Sequence, residues 1–144
     1  MNKQEAFKRI AQIETEAKEL RKIIDSSVTC ATDLKTTEDV CKVLGIGLHH
    51  FTACNIYDQL KYIIKAANML DNDGKVWIAD FNNSDKYKYY PYAEKVRSGL
   101  WFGCCRGRSV SSYGFSKSFF FKESKTCEYI FNTFIKQYSE YYEQ

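Results

Sequence analysis

Apolar residues in the first 25 positions repeat on a heptad. Ile10, Ala17 and Ile24 hold one seam position and Ala6, Ile13 and Leu20 the other, with Glu, Lys and Arg between them. This spacing predicts a helix over about 3–24, with a stripe narrow enough for contact with one or two further helices. The same stripe also fits a helix packed on its own domain; if the seam is intermolecular, the protein is a homo-oligomer through residues 3–24. A polar connector follows from Asp25 to Lys35. Thr37–Leu44 is then a short helix, with Thr36 as N-cap, Asp39 three residues on and Gly45 as the stop. The segment Cys54–Leu70 carries Ile56, Tyr57, Leu60, Ile63, Ile64, Ala67 and Leu70 at helical spacing, which makes it the main core helix. Asn72-Asp73-Gly74 ends it with turn chemistry.

Beyond Gly74 the period changes. Val76–Phe81 is rich in strand formers and Asn82–Asp85 in turn formers. Lys86–Tyr92 alternates, with Lys88, Tyr90 and Tyr92 on one face and Tyr87 and Tyr89 on the other. Pro91, lacking an N–H, assigns this strand to an edge or a strand end. Leu100–Cys104, Val110–Phe115 and Ser118–Phe121 are further strands, punctuated by Gly103, Gly107 and Gly114. A last helix starts near Ser124 with Cys127, Ile130, Phe131, Phe134, Ile135, Tyr138 and Tyr141 on one stripe. The order predicts an α+β fold: a coiled-coil-like N-terminal helix, a helical segment, a small mostly antiparallel sheet, and a C-terminal helix packed on that sheet. Residues 1–26 form the amphipathic, possible oligomerisation helix and residues 36–144 a single α+β domain. A chain of 144 residues and 16.8 kDa suits one core.

Composition narrows the class. Hydrophobic residues make up 44% and charged residues 27%, enough for a packed interior. No apolar run approaches the ~18 residues that cross a bilayer, and Met1–Arg9 lacks the apolar stretch of a secretory signal. The expectation is a soluble protein of the cytoplasm without membrane association. Cysteines at 30, 41, 54, 104, 105 and 127 show no C-x-x-C spacing, and there are two histidines. These are expected to be reduced thiols, several of them buried, with no metal site and no cofactor.

The net charge of +3 hides a strong segregation. Residues 86–122 carry +7 and the other 107 residues −4, and the same 37 residues hold 11 of the 23 aromatics. Concentrated cations and flat rings point to an anionic partner with a stackable group. The candidate ligand-binding residues are Lys88, Tyr90, Arg97, Trp101, Arg106, Arg108 and Tyr113. An Arg guanidinium binds phosphate through a planar donor fork, an aromatic face stacks on a base, and Gly107 lets Arg106 and Arg108 wrap an anion. Against this stands a plainer reading: Phe102, Phe119, Phe121 and half of the tyrosines are core, and the lysines a solvated face. Neither G-x-x-x-x-G-K-[ST] nor G-x-G-x-x-G occurs.

Catalytic chemistry has weaker support. His49-His50 sits in a connector, and adjacent histidines point apart. Cys104-Cys105, with Arg106 and Arg108 to lower a thiol pKa, would need a base from the other half of the chain. Asp71, Asp73, Asp80 and Asp85 are turn residues. The chain is expected not to be an enzyme.

Lys86-Tyr87-Lys88-Tyr89-Tyr90-Pro91-Tyr92 follows a Trp-bearing segment and precedes a Gly- and Ser-rich aromatic stretch. Then Phe121-Lys122-Glu123-Ser124 opens an aromatic helix with Glu128-Tyr129 and Phe134. Over residues 36–140 this resembles a family of small phage and prophage proteins of gut Bacteroidota marked by a Lys-Tyr-Tyr-Pro element, here Lys88–Pro91. Members often carry an Arg before the final Phe-Lys; Ser118 and Phe119 stand there in this chain, which leaves that role, if kept, to Arg106 or Arg108. The resemblance implies a phage-related source and assigns no mechanism. In such a setting the expected function is a non-catalytic protein that binds a phosphorylated small ligand and sequesters a nucleotide immune signal. The alternatives are a single-stranded nucleic-acid-binding accessory protein and an interaction module that inhibits a host enzyme.

Overall fold

The computed structural model describes residues 2–25, 27–83, 86–107 and 117–144. Helix α1 (Lys3–Asp25) starts at a reciprocal cap in which Asn2 Oδ1 accepts from the Glu5 amide and Glu5 Oε2 from the Asn2 amide, both at 2.9 Å. Every side chain from residue 7 to residue 23 is exposed. Helix α2 (Thr37–Leu44) has the predicted cap: Thr36 Oγ1 accepts from the Asp39 amide and Asp39 Oδ2 from the Thr36 amide. It stops at Gly45, whose φ of 65° only glycine adopts without strain. The stretch holding His49 and His50 is not a connector but a short helix, α3 (Leu48–Ala53), on which both histidines are exposed. Helix α4 (Ile56–Leu70) is capped by Asn55, whose side chain accepts from the Asp58 amide.

Among the described residues the sheet has two antiparallel strands, β1 (Lys88–Val96) and β2 (Gly99–Gly107), registered from Lys88 opposite Gly107 to Val96 opposite Gly99. On its outer edge β1 exchanges one pair of backbone hydrogen bonds, between Tyr89 and Phe121. Residues two apart on a strand face the same edge, so the next donor along would be residue 91. That residue is Pro, and the pairing goes no further. The predicted strand over 118–121 is instead a single 3-10 turn, Lys117–Phe119, followed by this bridge at Phe121. Val76–Phe81, also expected as a strand, joins no ladder among the described residues. The strand expected at Val110–Phe115 falls outside the described residues.

The final aromatic helix bends at Phe134 into α5 (Ser124–Thr133) and α6 (Ile135–Tyr142). The Phe134 amide still bonds to the Ile130 carbonyl and the Tyr138 amide to the Phe134 carbonyl, so backbone bonding spans the bend. The fold is α+β and mostly helical, with helix α5 packed on the sheet.

Two apolar clusters organise the interior. The larger joins Leu34, Val40, Phe51, Leu60, Ile63 and Ile64 from the N-terminal half to Phe121, Ile130 and Tyr138 from the C-terminal half. Each such side chain contributes ~1.5–3 kcal/mol through burial. The smaller consists of Ala79, Phe81, Tyr90 and Phe120, with Trp77 and Tyr92 against it. The β1 alternation separates them: Tyr89 packs on the larger cluster, Tyr90 and Tyr92 on the smaller. The side-chain amide of Asn68, buried in α4, donates to the Phe120 carbonyl and accepts from the Lys122 amide, fixing this junction. Cys41 and Cys127 are buried, Cys30 is exposed and Cys54 lies between, all four as free thiols. Among the described residues no helix is long and apolar enough to cross a membrane.

Candidate functional site

Two recesses lie on either side of the Trp77–Ile78 segment and share it as a wall. The chain reaches this position through the turn after α4. Asp73 and Gly74 take positive φ values of 54° and 77°, and the Gly74 amide bonds back to the Met69 carbonyl. The reversed chain then runs out as Val76–Asp80. Ala79 is buried and Trp77 packs on the smaller cluster, while Val76 and Ile78 stay more than half exposed at the mouth.

The first recess, about 300 Å³, is enclosed by α4, by Val76–Ile78 and by Lys117-Ser118. Asp58, Lys61, Tyr62 and Lys65 recur at helical spacing, so one face of α4 presents them together. Lys61 Nζ lies 2.8 Å from Asp58 Oδ1. That bond holds the Asp58 carboxyl below its ordinary pKa and raises that of Lys61. Lys65 and Lys117 are exposed and add two further charges. Tyr62 and Trp77 also line the recess, and the Tyr62 hydroxyl is 3.1 Å from His50 Nε2. The recess has the size of a small-ligand pocket, a net positive charge and two aromatic surfaces.

The second recess, about 530 Å³, lies between Trp77–Asp80 and the start of β1. It carries Lys86, Lys88 and Lys122 against Asp80 and Glu123. Two of its lysines are already engaged. Lys122 Nζ donates to the Asp71 carbonyl and to Asn72 Oδ1, both at 3.1 Å. Lys88, only 2% exposed, donates to the Asn83 carbonyl with its ammonium 5.6 Å above the centre of the Phe81 ring.

Of the seven residues singled out from the sequence, Lys88, Tyr90 and Arg97 have described side chains. Lys88 lines the second recess. Tyr90 does not offer a stacking face: its ring is in the smaller core cluster, edge-on to Phe120 at 5.3 Å. Arg97 is exposed in the β1–β2 turn, nine residues beyond Lys88 and so roughly 30 Å along the strand at ~3.3 Å per residue. The backbone of Trp101 pairs with Glu94 in mid-strand, and that of Arg106 pairs with Tyr89 at the Lys88 end. Arg108 and Tyr113 lie outside the described residues. The three described side chains, Lys88, Tyr90 and Arg97, do not line one recess. Lys61, Tyr62, Lys65, Trp77 and Lys117 do, and four of these escaped a search keyed to charge density in 86–122. The polar face of α4 was the available signal.

Comparison with protein families, with curated proteins and with solved structures finds no match to this chain.

Proposed function

We propose that the protein binds, without chemically altering it, a phosphorylated small ligand with a flat ring, a nucleotide in the first instance, in the recess between α4 and Trp77. The observation that carries this reading is the placement of Lys61, Lys65 and Lys117 around the same 300 Å³ space as Tyr62 and Trp77. Ammonium groups draw phosphate to the mouth, and a flat ring laid against Tyr62 or Trp77 gains a stacking surface. With the phage-related source implied by Lys88–Pro91, the reading becomes sequestration of a nucleotide immune signal in the cytoplasm of a bacterial host.

A thermal-shift screen of mono-, di- and cyclic nucleotides tests it, followed by calorimetry on each hit. A ligand at 100 times its Kd stabilises the fold by ~2.7 kcal/mol. The double variant K65A/K117A should lose about tenfold or more in affinity, since each charge-assisted contact is worth ~1.5–3 kcal/mol before solvent screening. The variant W77A should lose the stacking contribution. No shift with any nucleotide overturns the reading.

One observation favours a second reading. The two recesses meet at Trp77 and Ile78, and Lys86 and Lys122 continue the positive charge past that wall. A single-stranded nucleic acid lying across both would contact several phosphates, and its affinity would fall steeply with salt. A mononucleotide, with few phosphates, would show a shallow slope.

A further inference from the structure

Helix α1 carries an apolar strip that nothing in the described fold covers. Phe7, Ile10, Ile13, Leu20 and Ile23 are between 52% and 63% exposed. In proteins most of a helix's stability comes from packing its apolar face rather than from intrinsic propensity. Writing Ile10, Ala17 and Ile24 as position a and Ala6, Ile13 and Leu20 as position d puts Arg9 and Glu16 at position g, and Glu14 and Arg21 at position e.

Those four charges decide which partner fits. In a parallel, in-register pair, each g residue faces the e residue five positions on in the other helix. Arg9 then meets Glu14, and Glu16 meets Arg21, on both sides of the seam. In a fully overlapped antiparallel pair, g faces g and e faces e. Glu16 would then face Glu16 of the second copy, and Glu14 would face Glu14. One arrangement has every charged flanking pair complementary; the other puts like charges together at its centre. Phe7 and Ile23, also at e and g positions, widen the strip towards its two ends.

We propose that α1 pairs with α1 of a second copy of this chain as a parallel, in-register coiled coil. The rest of each chain follows the C-terminal end of α1, so both folded portions leave the coil at the same end. Two ligand recesses per assembly would then be available to one multivalent target or to two ligands side by side. The pairing itself does not rest on the ligand reading.

Charge reversal tests both the partner and its direction. Light scattering on the intact chain at micromolar concentration should give twice the 16.8 kDa chain mass. The variants R9E/R21E and E14R/E16R should each raise the dimer dissociation constant at least about tenfold, because attractive pairs become repulsive ones. Mixing the two variants should restore the dimer as a heterodimer, since every flanking pair is again Glu against Arg. An antiparallel dimer predicts otherwise: E14R/E16R exchanges one set of like-charge contacts for another, and R9E/R21E changes only contacts with apolar residues. A monomeric intact chain overturns the proposal, as do variants that both remain dimeric alone. Residues 7–23 have no buried side chain, so the substitutions leave the folded core intact, and near-UV circular dichroism checks that.

Discussion

Asn68 and Lys122 are 54 positions apart, yet Asn68 Oδ1 accepts the hydrogen bond of the Lys122 amide at 3.0 Å. The same side chain donates to the Phe120 carbonyl at 2.8 Å. One amide on α4 therefore satisfies two backbone groups of the segment that joins the two apolar clusters. Asn68→Ala would leave both without their partner. The expected loss is about 2–4 kcal/mol, given ~1–3 kcal/mol for each buried group left unsatisfied. Urea denaturation followed by tryptophan fluorescence measures it, and a loss within error of zero would show that water replaces the amide.

Gly45 supports a sharper prediction. Its φ is 65°, and a Cβ built there meets nothing within 4 Å. Gly45→Ala therefore incurs backbone strain alone, with no clash, and should cost about 1 kcal/mol. A larger loss in Tm than this implies would mean that the α2–α3 corner is packed more tightly than described.

Acid should weaken the region before α2. Backbone hydrogen bonds from Thr29 and Cys30 hold the Asp33 carboxyl far below the ordinary range. For Asp39, burial pushes the pKa up, but hydrogen bonds from Lys35 and Thr36 outweigh it and the net shift is downward. A carboxylate with a depressed folded pKa stabilises the fold above its unfolded pKa, here 3.8, and that contribution is lost as pH falls through the folded value. Melting curves should show Tm falling progressively below pH 3.8. The fall should be shallower in D33N, which is already weaker at neutral pH. Parallel curves for the two proteins would refute the linkage.

Tyr142 ties α6 to the sheet, its hydroxyl donating to the Pro91 carbonyl at 3.0 Å. Burial raises the pKa of this phenol well above that of free tyrosine, with Tyr141 and Cys127 adding to the shift. The neutral form is the one the fold favours, so its contribution is full below the unfolded pKa and is lost as pH rises through the folded one. Tyr142→Phe should cost about 1 kcal/mol at neutral pH. It should also reduce the alkaline loss of stability seen in the intact chain, and an unchanged alkaline limb would assign that limb to other groups.

The elements legible in the sequence are those whose signals are local. Thr36, Asp39 and Gly45 mark α2 because a cap and a left-handed stop need only neighbouring residues. Alternation along Lys86–Tyr92 identified β1 because both of its faces are covered. Val76–Phe81 has strand-forming residues and joins no ladder among the described residues, because a strand needs a partner edge and composition cannot supply one. The bend at Phe134 was invisible because the aromatic stripe continues through it and the backbone hydrogen bonds persist. The candidate site was legible only in part. Charge counting over 86–122 took in Lys86, Lys88 and Lys122 of the second recess but singled out only Lys88. The first recess forms where the polar face of α4 meets a segment that returns after a positive-φ turn, with Lys117 closing it from far along the chain. Tyr90 was misassigned because an alternating strand looks the same whether its aromatic face meets a ligand or the apolar cluster beneath Phe120.

The proline in mid-strand also bears on how the molecule behaves in a crowd. Tyr87–Tyr92 is rich in aromatic residues, and Pro91 sets it apart from the proline-free segments that recruit identical copies into fibrils. Beside Phe121 an incoming chain would find an acceptor at Tyr89 already used and, at Pro91, a donor that does not exist. A strand added along that side would go without the ladder bond that residue 91 would otherwise donate.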